Sequence, residues 1–436
     1  MERRLHFAES GTEAEESRTE RAGRQAVMTL FEILLAGAIV LTVFSLPLSE
    51  SVKNIAYGIA LAAYVALIVI GGSRQVILPP VGVLFLMSLA VAIASALTSV
   101  YPRQAWRGTW DVFRYASFFF LVCRGIRGEK WVLTFLWAGV LGVGLAAVLV
   151  LGRALVVGFT IHHFTMFSIG NKNAVAQYLV MMLSVIFGMA DRLPVRRYGG
   201  TVLAVTGGSM LILLALSSAR TMWVALLVVA LALVARRRVQ LVLPALGLFV
   251  VVVVGVVVAK PDVAHRVEAL GHSETYLDVG RRVEIWRSAL KLWRDHPWLG
   301  SGPRTFRLYA GAPADSDRSR YGIPKGVTQA HNQWLHVGAE MGTLGVLAMA
   351  TWVVAVSAWL IRRRGRFAEG ALGAAWAGAA GALVATLIAS VTEPAIGYEH
   401  AILLMGLLGV VMGADQGTAR GVEPSAVWRC VKGLVA

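Results

Sequence analysis

The sequence predicts an all-α polytopic membrane protein with about twelve transmembrane helices and one long outer loop that contains an amphipathic helix. Three observations predict it. Of 436 residues, 57% are hydrophobic and only 15% charged, with a mean hydropathy of +0.67. Soluble domains carry about 25% charged residues. The apolar residues fall in repeated blocks close to the roughly 20 residues that cross a bilayer. The excess of positive charge, net +16, sorts to alternate loops. Together these exclude an ordinary soluble domain, a disordered chain and a coiled coil.

The elements follow in order. Residues 1–27 read as a polar cytoplasmic tail with both signs of charge and no visible leader-cleavage site. Apolar blocks follow at 28–46, 54–72, 76–97, 108–123, 131–157, 173–190, 201–218, 220–235 and 239–259, giving nine transmembrane helices within 28–259. The long loop, 260–333, comes next. Blocks at 334–361, 371–391 and 400–414 supply three more helices within 334–414, and 415–436 is a cytoplasmic tail. The blocks lack the alternation of barrel strands, so helices must satisfy the backbone.

Orientation comes from the loops. Even-numbered loops hold Arg74, Arg124, Arg127, Lys130, Arg192, Arg196, Arg197, the run Arg236-Arg237-Arg238 and the run Arg362-Arg363-Arg364 with Arg366. The short odd loops hold fewer than half as many: Lys53, Arg103, Arg107, Arg153, Lys172 and Arg220. The positive-inside rule places the even loops and both termini in the cytoplasm and the long loop outside. Trp106, Trp110, Trp131, Trp223 and Trp334 lie near block ends, as an interfacial belt requires. On a soluble chain a pI near 10.4 would suggest nucleic acid; here the charge is accounted for by the membrane, and no nucleic-acid partner is expected. Cys123 and Cys430 both map to the reducing side, so no disulfide is expected. No P-loop, GxGxxG or HExxH motif occurs.

The chemistry-bearing residues gather on the outer side. Arg220 sits in Ser217-Ser218-Ala219-Arg220-Thr221 between two apolar blocks, as a snorkelling helix end or as a phosphate ligand. In the long loop, Val279, Val283, Trp286, Leu290 and Trp293 form a helical stripe, with Gly280 read as preceding the helix and Pro297 following it. Arg282 falls about 60° from that stripe's centre and Arg281 about 160° away. Arg282 is therefore the one expected to point inward. His331 lies where the loop re-enters the membrane, and its neutral form is a usable base. His336 reads as a packing or hydrogen-bonding residue, and Glu340 as an intramembrane acid bonded to a neighbouring helix.

Weaker signals are Gly170-Asn171-Lys172-Asn173, a capped helix start that could also hold an anion, and Glu393 and Glu399 in the last outer loop, which could position a polar substrate. Asp315-Ser316-Asp317 has metal-transferase spacing but reads as a solvated turn. His162-His163 lacks an acidic partner. No metal and no cofactor is expected.

In order and placement these motifs resemble the O-antigen ligase and O-antigen polymerase family. The resemblance covers about residues 165–345. Its parts are Gly170-Asn171-Lys172-Asn173, Ser217-Ser218-Ala219-Arg220, Gly280-Arg281-Arg282 with Trp286, His296-Pro297-Trp298-Leu299-Gly300-Ser301-Gly302, and His331-Asn332-Gln333-Trp334-Leu335. It implies a C-type integral membrane glycosyltransferase of the bacterial inner membrane. Its donor would be a glycan on undecaprenyl pyrophosphate, and its active site would lie on the periplasmic face. A ligase would pass the glycan to lipid A–core oligosaccharide. The total length, the span count and the single dominant outer loop favour ligase. A polymerase and a protein O-oligosaccharyltransferase remain alternatives. A transporter or a scaffold fits less well, because the polar residues cluster at one surface and no second half is found.

On this reading Arg220 and Arg282 stabilise the leaving pyrophosphate and His331 takes the acceptor proton. Arg220, Arg282, Lys172 and Asn173 contact the substrate. Displacement is direct, inverting and metal-independent.

Overall fold

A computed structural model describes residues 2–71, 77–157, 165–194, 197–217, 219–234, 247, 273–311 and 317–419. The expected block at 239–259, His162-His163, Asp315, Arg74, the Arg236–Arg238 run and Cys430 lie outside the described residues.

The described helices are α1 (Glu2–Ser45), α2 (Glu50–Gly71), α3 (Pro80–Thr98), α4 (Pro102–Gly125), α5 (Glu129–Val157) and α6 (Lys172–Arg192). They continue as α7 (Arg197–Leu216), α8 (Arg220–Val234), α9 (Ser273–Asp295), α10 (Gln333–Arg363), α11 (Gly370–Ala389) and α12 (Tyr398–Ala419). Local chemistry sets several starts. Pro80 and Pro102 occupy the first helical positions of α3 and α4, where a missing N–H costs nothing. Asn171 caps α6 by accepting from the Ala174 N–H at 2.8 Å, and Asn332 caps α10 by accepting from Leu335 at 3.0 Å.

Eight stretches are long and apolar enough to cross a membrane: Glu20–Ser45 of α1, most of α5, and α2, α3, α6, α7, α10 and α11. The blocks expected at 108–123, 220–235 and 400–414 are helical, as α4, α8 and α12, but are not among the eight. α4 carries Arg103, Arg107, Asp111 and Arg114, and α8 has only 15 residues. Residues 2–27, expected as a tail, form the N-terminal part of α1.

Small residues bring the central helices together. α6 lies along α11. A Cβ on Gly188 would stand 2.7 Å from the Ala374 carbonyl oxygen, and one on Gly381 would stand 2.5 Å from Ser184. α12 packs against α4 through Gly409 and Gly413, whose Cβ atoms would meet the Phe119 and Cys123 carbonyl oxygens at 2.8 and 2.7 Å. Without a hydrophobic driving force between helices in lipid, such close backbone packing supplies the association energy. The buried charges there are paired: Lys53 with Glu399, and Arg124 with Glu32 at 2.5 Å.

α10 is broken. Gly342 has φ 67° and ψ −166° inside it. The loop after α9 fills the break. Ser301 and Gly302 N–H donate to the Ala339 and Glu340 carbonyls at 3.0 and 2.8 Å. Thr343 and Leu344 N–H donate to the Pro297 and Trp298 carbonyls at 2.8 and 3.2 Å. Every backbone group named here would otherwise be stranded by the break. The approach requires glycine: a Cβ on Gly342 would lie 2.3 Å from the Trp298 carbonyl group, and one on Gly300 (φ +71°) would lie 2.3 Å from the Glu340 carbonyl carbon. The His296–Gly302 motif thus has a structural task, to repair a discontinuous helix.

Candidate active site

Four chain segments meet at one carboxylate. Glu393 stands in the turn after α11, its own N–H bonded to the Ala389 carbonyl at 2.9 Å. One oxygen, Oε1, accepts from Asn173 Nδ2 at 2.7 Å and lies 3.9 Å from the Arg282 guanidinium. The other, Oε2, lies 3.1 Å from His331 Nδ1 and accepts from Gln329 Nε2 at 3.3 Å. Asn173 comes from the first turn of α6, Arg282 from α9, and Gln329 and His331 from the segment entering α10. The Glu393 side chain is 15% exposed and that of His331 31%, so the pair is screened from bulk water while the imidazole stays reachable.

The backbone holds His331 in place. Its φ is +47°; the only other described non-glycine residue with positive φ is Arg304, at 64°. Such conformations cost of order 1–3 kcal/mol and persist where surrounding contacts impose them. Here the imposing contacts are the Asn332 cap immediately after it and Trp286 Nε1, which donates to the His331 carbonyl at 3.4 Å.

Arg220 is the first residue of α8 and is exposed. Its neighbour Thr221 accepts at its hydroxyl from Thr392 at 3.2 Å. Arg220 is thereby tied, one residue removed, to the residue before Glu393. Lys172 is half-buried at the start of α6, beside Asn173.

The family comparison falls on this region. Residues 205–350 match the family model described as O-Antigen ligase. The matched segment runs from α7 into α10 and contains Arg220, Arg282 and His331. Asn173 and Glu393 lie outside it. It is the family to which the motif order pointed. No curated protein matches the chain.

Within the matched segment two helical expectations are corrected. Gly280 does not precede the loop helix; α9 begins at Ser273 and Gly280 lies inside it. The packed face is also different. Ile285, Ser288, Ala289 and Leu292 are buried, while Leu290 is 36% exposed. Trp286 and Trp293 form the edge of this arc; Trp293 Nε1 donates to Thr343 at 3.3 Å. The arc is centred about 150° from the stripe of Val279, Val283 and Leu290. Alanine and serine, which a search for large apolar residues passes over, make the close contact with the bundle. By phase alone Arg281 then falls inside the packed arc and Arg282 just beyond its edge. Contact separates them: Arg282 reaches Glu393, and Arg281 is exposed.

The remaining acids have structural partners. Glu340 accepts from the Arg304 and Phe306 N–H groups at 2.6 and 2.9 Å, so it holds the 304–306 loop and not a neighbouring helix. Glu399 pairs with Lys53 and does not enter the site. The convergence on Glu393 and the part played by Gln329 were not legible in the sequence. Their only signal was a carboxylate in a short turn between two apolar blocks.

Proposed function

We propose that the chain is an inverting, metal-independent glycosyltransferase, an O-antigen ligase of lipopolysaccharide biosynthesis. It moves a glycan from undecaprenyl pyrophosphate to lipid A–core oligosaccharide. The proposed setting is the bacterial inner membrane, with twelve spans, both termini cytoplasmic and the site on the periplasmic face. The observation that carries the reading is the His331–Glu393 pair with an arginine against the same carboxylate.

A carboxylate at Nδ1 favours the tautomer in which Nδ1 carries the proton and Nε2 presents its lone pair. Nε2 of His331 then takes the proton of an acceptor hydroxyl. As that oxygen bonds to the anomeric carbon, the bond from the carbon to the pyrophosphate oxygen breaks, and its electron pair leaves with the phosphate. Glu393 steadies the imidazolium that forms. Proton removal of this kind contributes roughly 10²–10⁴ in rate. Arg220 and Arg282 offer planar forks to the phosphate oxygens, each positioned donor contributing roughly 3–4 kcal/mol. Lys172 and Asn173, at the start of α6, add a cation and a donor, the latter bonded to Glu393. With cations fixed on the phosphates, no divalent ion is needed.

A transporter would use a broken helix to open a binding site at mid-membrane. The break in α10 instead has its backbone groups taken by residues 297–302, which favours the enzyme. The decisive test is the lipopolysaccharide of a strain lacking the chain. Unsubstituted core with long glycan retained on undecaprenyl pyrophosphate is the ligase outcome. Core bearing a single repeat is the polymerase outcome and would overturn the reading.

A further inference from the structure

Glu393 stands in the turn between α11 and α12, outside either helix. Its aim at His331 Nδ1 therefore depends on what ties the turn down. One residue of α10 ties it on both sides of Glu393. Ahead of Glu393, the Gln333 N–H donates to the Ser390 carbonyl at 2.9 Å. Beyond it, Gln333 Oε1 accepts from the Ile396 N–H at 3.0 Å. Gln333 is the first residue of α10 and only 5% exposed.

Both bonds use groups that a helix cannot satisfy itself. The first N–H groups of a helix have no partner within it, so the Gln333 N–H is available to the turn. The Ile396 N–H lies just ahead of α12 and is outside its ladder as well. A carboxamide oxygen carried on a flexible stem can reach it, and an apolar side chain there would leave it without this acceptor. Asn332 adds a further tie, Nδ2 donating to the Val391 carbonyl at 3.1 Å. From the other side α6 holds the turn through Gln177 Nε2, which donates to the Ala395 carbonyl at 2.8 Å. That bond has no link to His331. Gln333 does, because it follows His331 almost directly in the chain. One short segment thus carries the imidazole and grips the turn that carries its carboxylate.

We propose that Gln333 is the positioning residue of the His331–Glu393 pair. Its hold on Ile396 keeps Glu393 Oε2 in line with His331 Nδ1 and so fixes the imidazole tautomer. It acts through Glu393 and not on a substrate. The effect on rate rests on the glycosyl-transfer reading; the effect on the tautomer does not.

The test is Gln333→Met, which keeps the side-chain length and the backbone bond to Ser390 but removes the acceptor for Ile396. kcat for transfer should fall roughly 10- to 10²-fold, the scale of a small misplacement, with donor affinity and acceptor KM close to the parent's. In a Glu393→Ala background the same substitution should change kcat by less than about twofold, because a residue that acts through Glu393 has nothing left to act on. Nitrogen NMR of the histidine-labelled full-length protein in nanodiscs reads the tautomer, with the His331 signals identified by their loss in His331→Ala. Neutral His331 should carry its proton on Nδ1 in the parent and on either nitrogen in Gln333→Met. Parental kcat in Gln333→Met, a full effect without Glu393, a parent not protonated on Nδ1, or one tautomer in both proteins overturns the proposal. So does a rise in acceptor KM, which would make Gln333 a substrate contact. Loss of donor binding in step with transfer, or failure to accumulate in the membrane, would make it a structural residue and also overturns the proposal. If the parent transfers no glycan, the glycosyl-transfer reading falls, and the tautomer comparison still decides the role of Gln333.

Discussion

His331 Nδ1 stands 3.1 Å from Glu393 Oε2, across 62 residues of chain. The carboxylate sets which imidazole nitrogen carries the proton and where the free lone pair points. Glu393→Ala should therefore lower transfer by roughly 10²-fold or more, within the range of a general base. Glu393→Gln can still accept from Nδ1–H through its amide oxygen and should lose less. Initial rates on lipid-linked donor and lipid A–core, at equal membrane abundance, check the order. Equal activity of Glu393→Ala and the parent would remove Glu393 from the mechanism.

Arg282 and Arg281 are adjacent, yet only Arg282 reaches Glu393. Arg282→Ala should weaken donor binding and transfer together, and Arg220→Ala should do the same. Arg282→Lys should rescue poorly, because an ammonium cannot form the two-bond fork. Arg281→Ala should be tolerated. Titration with undecaprenyl pyrophosphate and a transfer assay read both effects. Loss in Arg281→Ala with retention in Arg282→Ala would reverse the assignment.

The break in α10 yields a stability contrast. Gly342→Ala places a Cβ 2.3 Å from the Trp298 carbonyl at a backbone with φ 67°. It should destabilise the protein by at least about 2 kcal/mol. Gly280→Ala puts a Cβ where nothing lies within 4 Å, inside α9. It should stabilise the helix by about 0.5–1 kcal/mol. Thermal unfolding in detergent distinguishes them, and a Gly342→Ala protein as stable as the parent would contradict the packing account.

Cysteine labelling tests the orientation. Lys325 and Arg364 are both exposed and lie on opposite sides in the proposed topology. In intact spheroplasts an impermeant thiol reagent should modify Lys325→Cys and spare Arg364→Cys. The opposite pattern would move the whole site to the cytoplasmic face.

Metal independence is tested on purified enzyme. Activity should survive EDTA, and an Asp315→Ala, Asp317→Ala double variant should keep most of it. Loss on chelation that one added divalent ion restores would sink this part of the mechanism.

The helical class was legible because bilayer-length apolar blocks leave the backbone no other solution. Arg282 and His331 were singled out because a guanidinium suits a phosphate and an imidazole a proton, and the structure places both against Glu393. Asn173 and Glu393 were also singled out, each for contact with a substrate, but their mutual hydrogen bond was not legible, since nothing local to either shows that α6 and the α11–α12 turn come together. The packed face of α9 was misread because its tightest contacts use Ala289 and Ser288, which carry little apolar weight. The break in α10 was hidden because one glycine among many in apolar blocks gives no sign of positive φ. Its counterpart, the His296–Gly302 motif, was visible without its purpose.

The central claim is that His331 acts on the acceptor's proton and not on the donor's pyrophosphate. Its most direct test is single-turnover release of undecaprenyl pyrophosphate by purified His331→Ala, measured beside that variant's donor affinity. We expect transfer to be abolished with donor affinity within a few-fold of the parent. Persistent transfer, or loss of donor binding in step with transfer, would contradict the assignment.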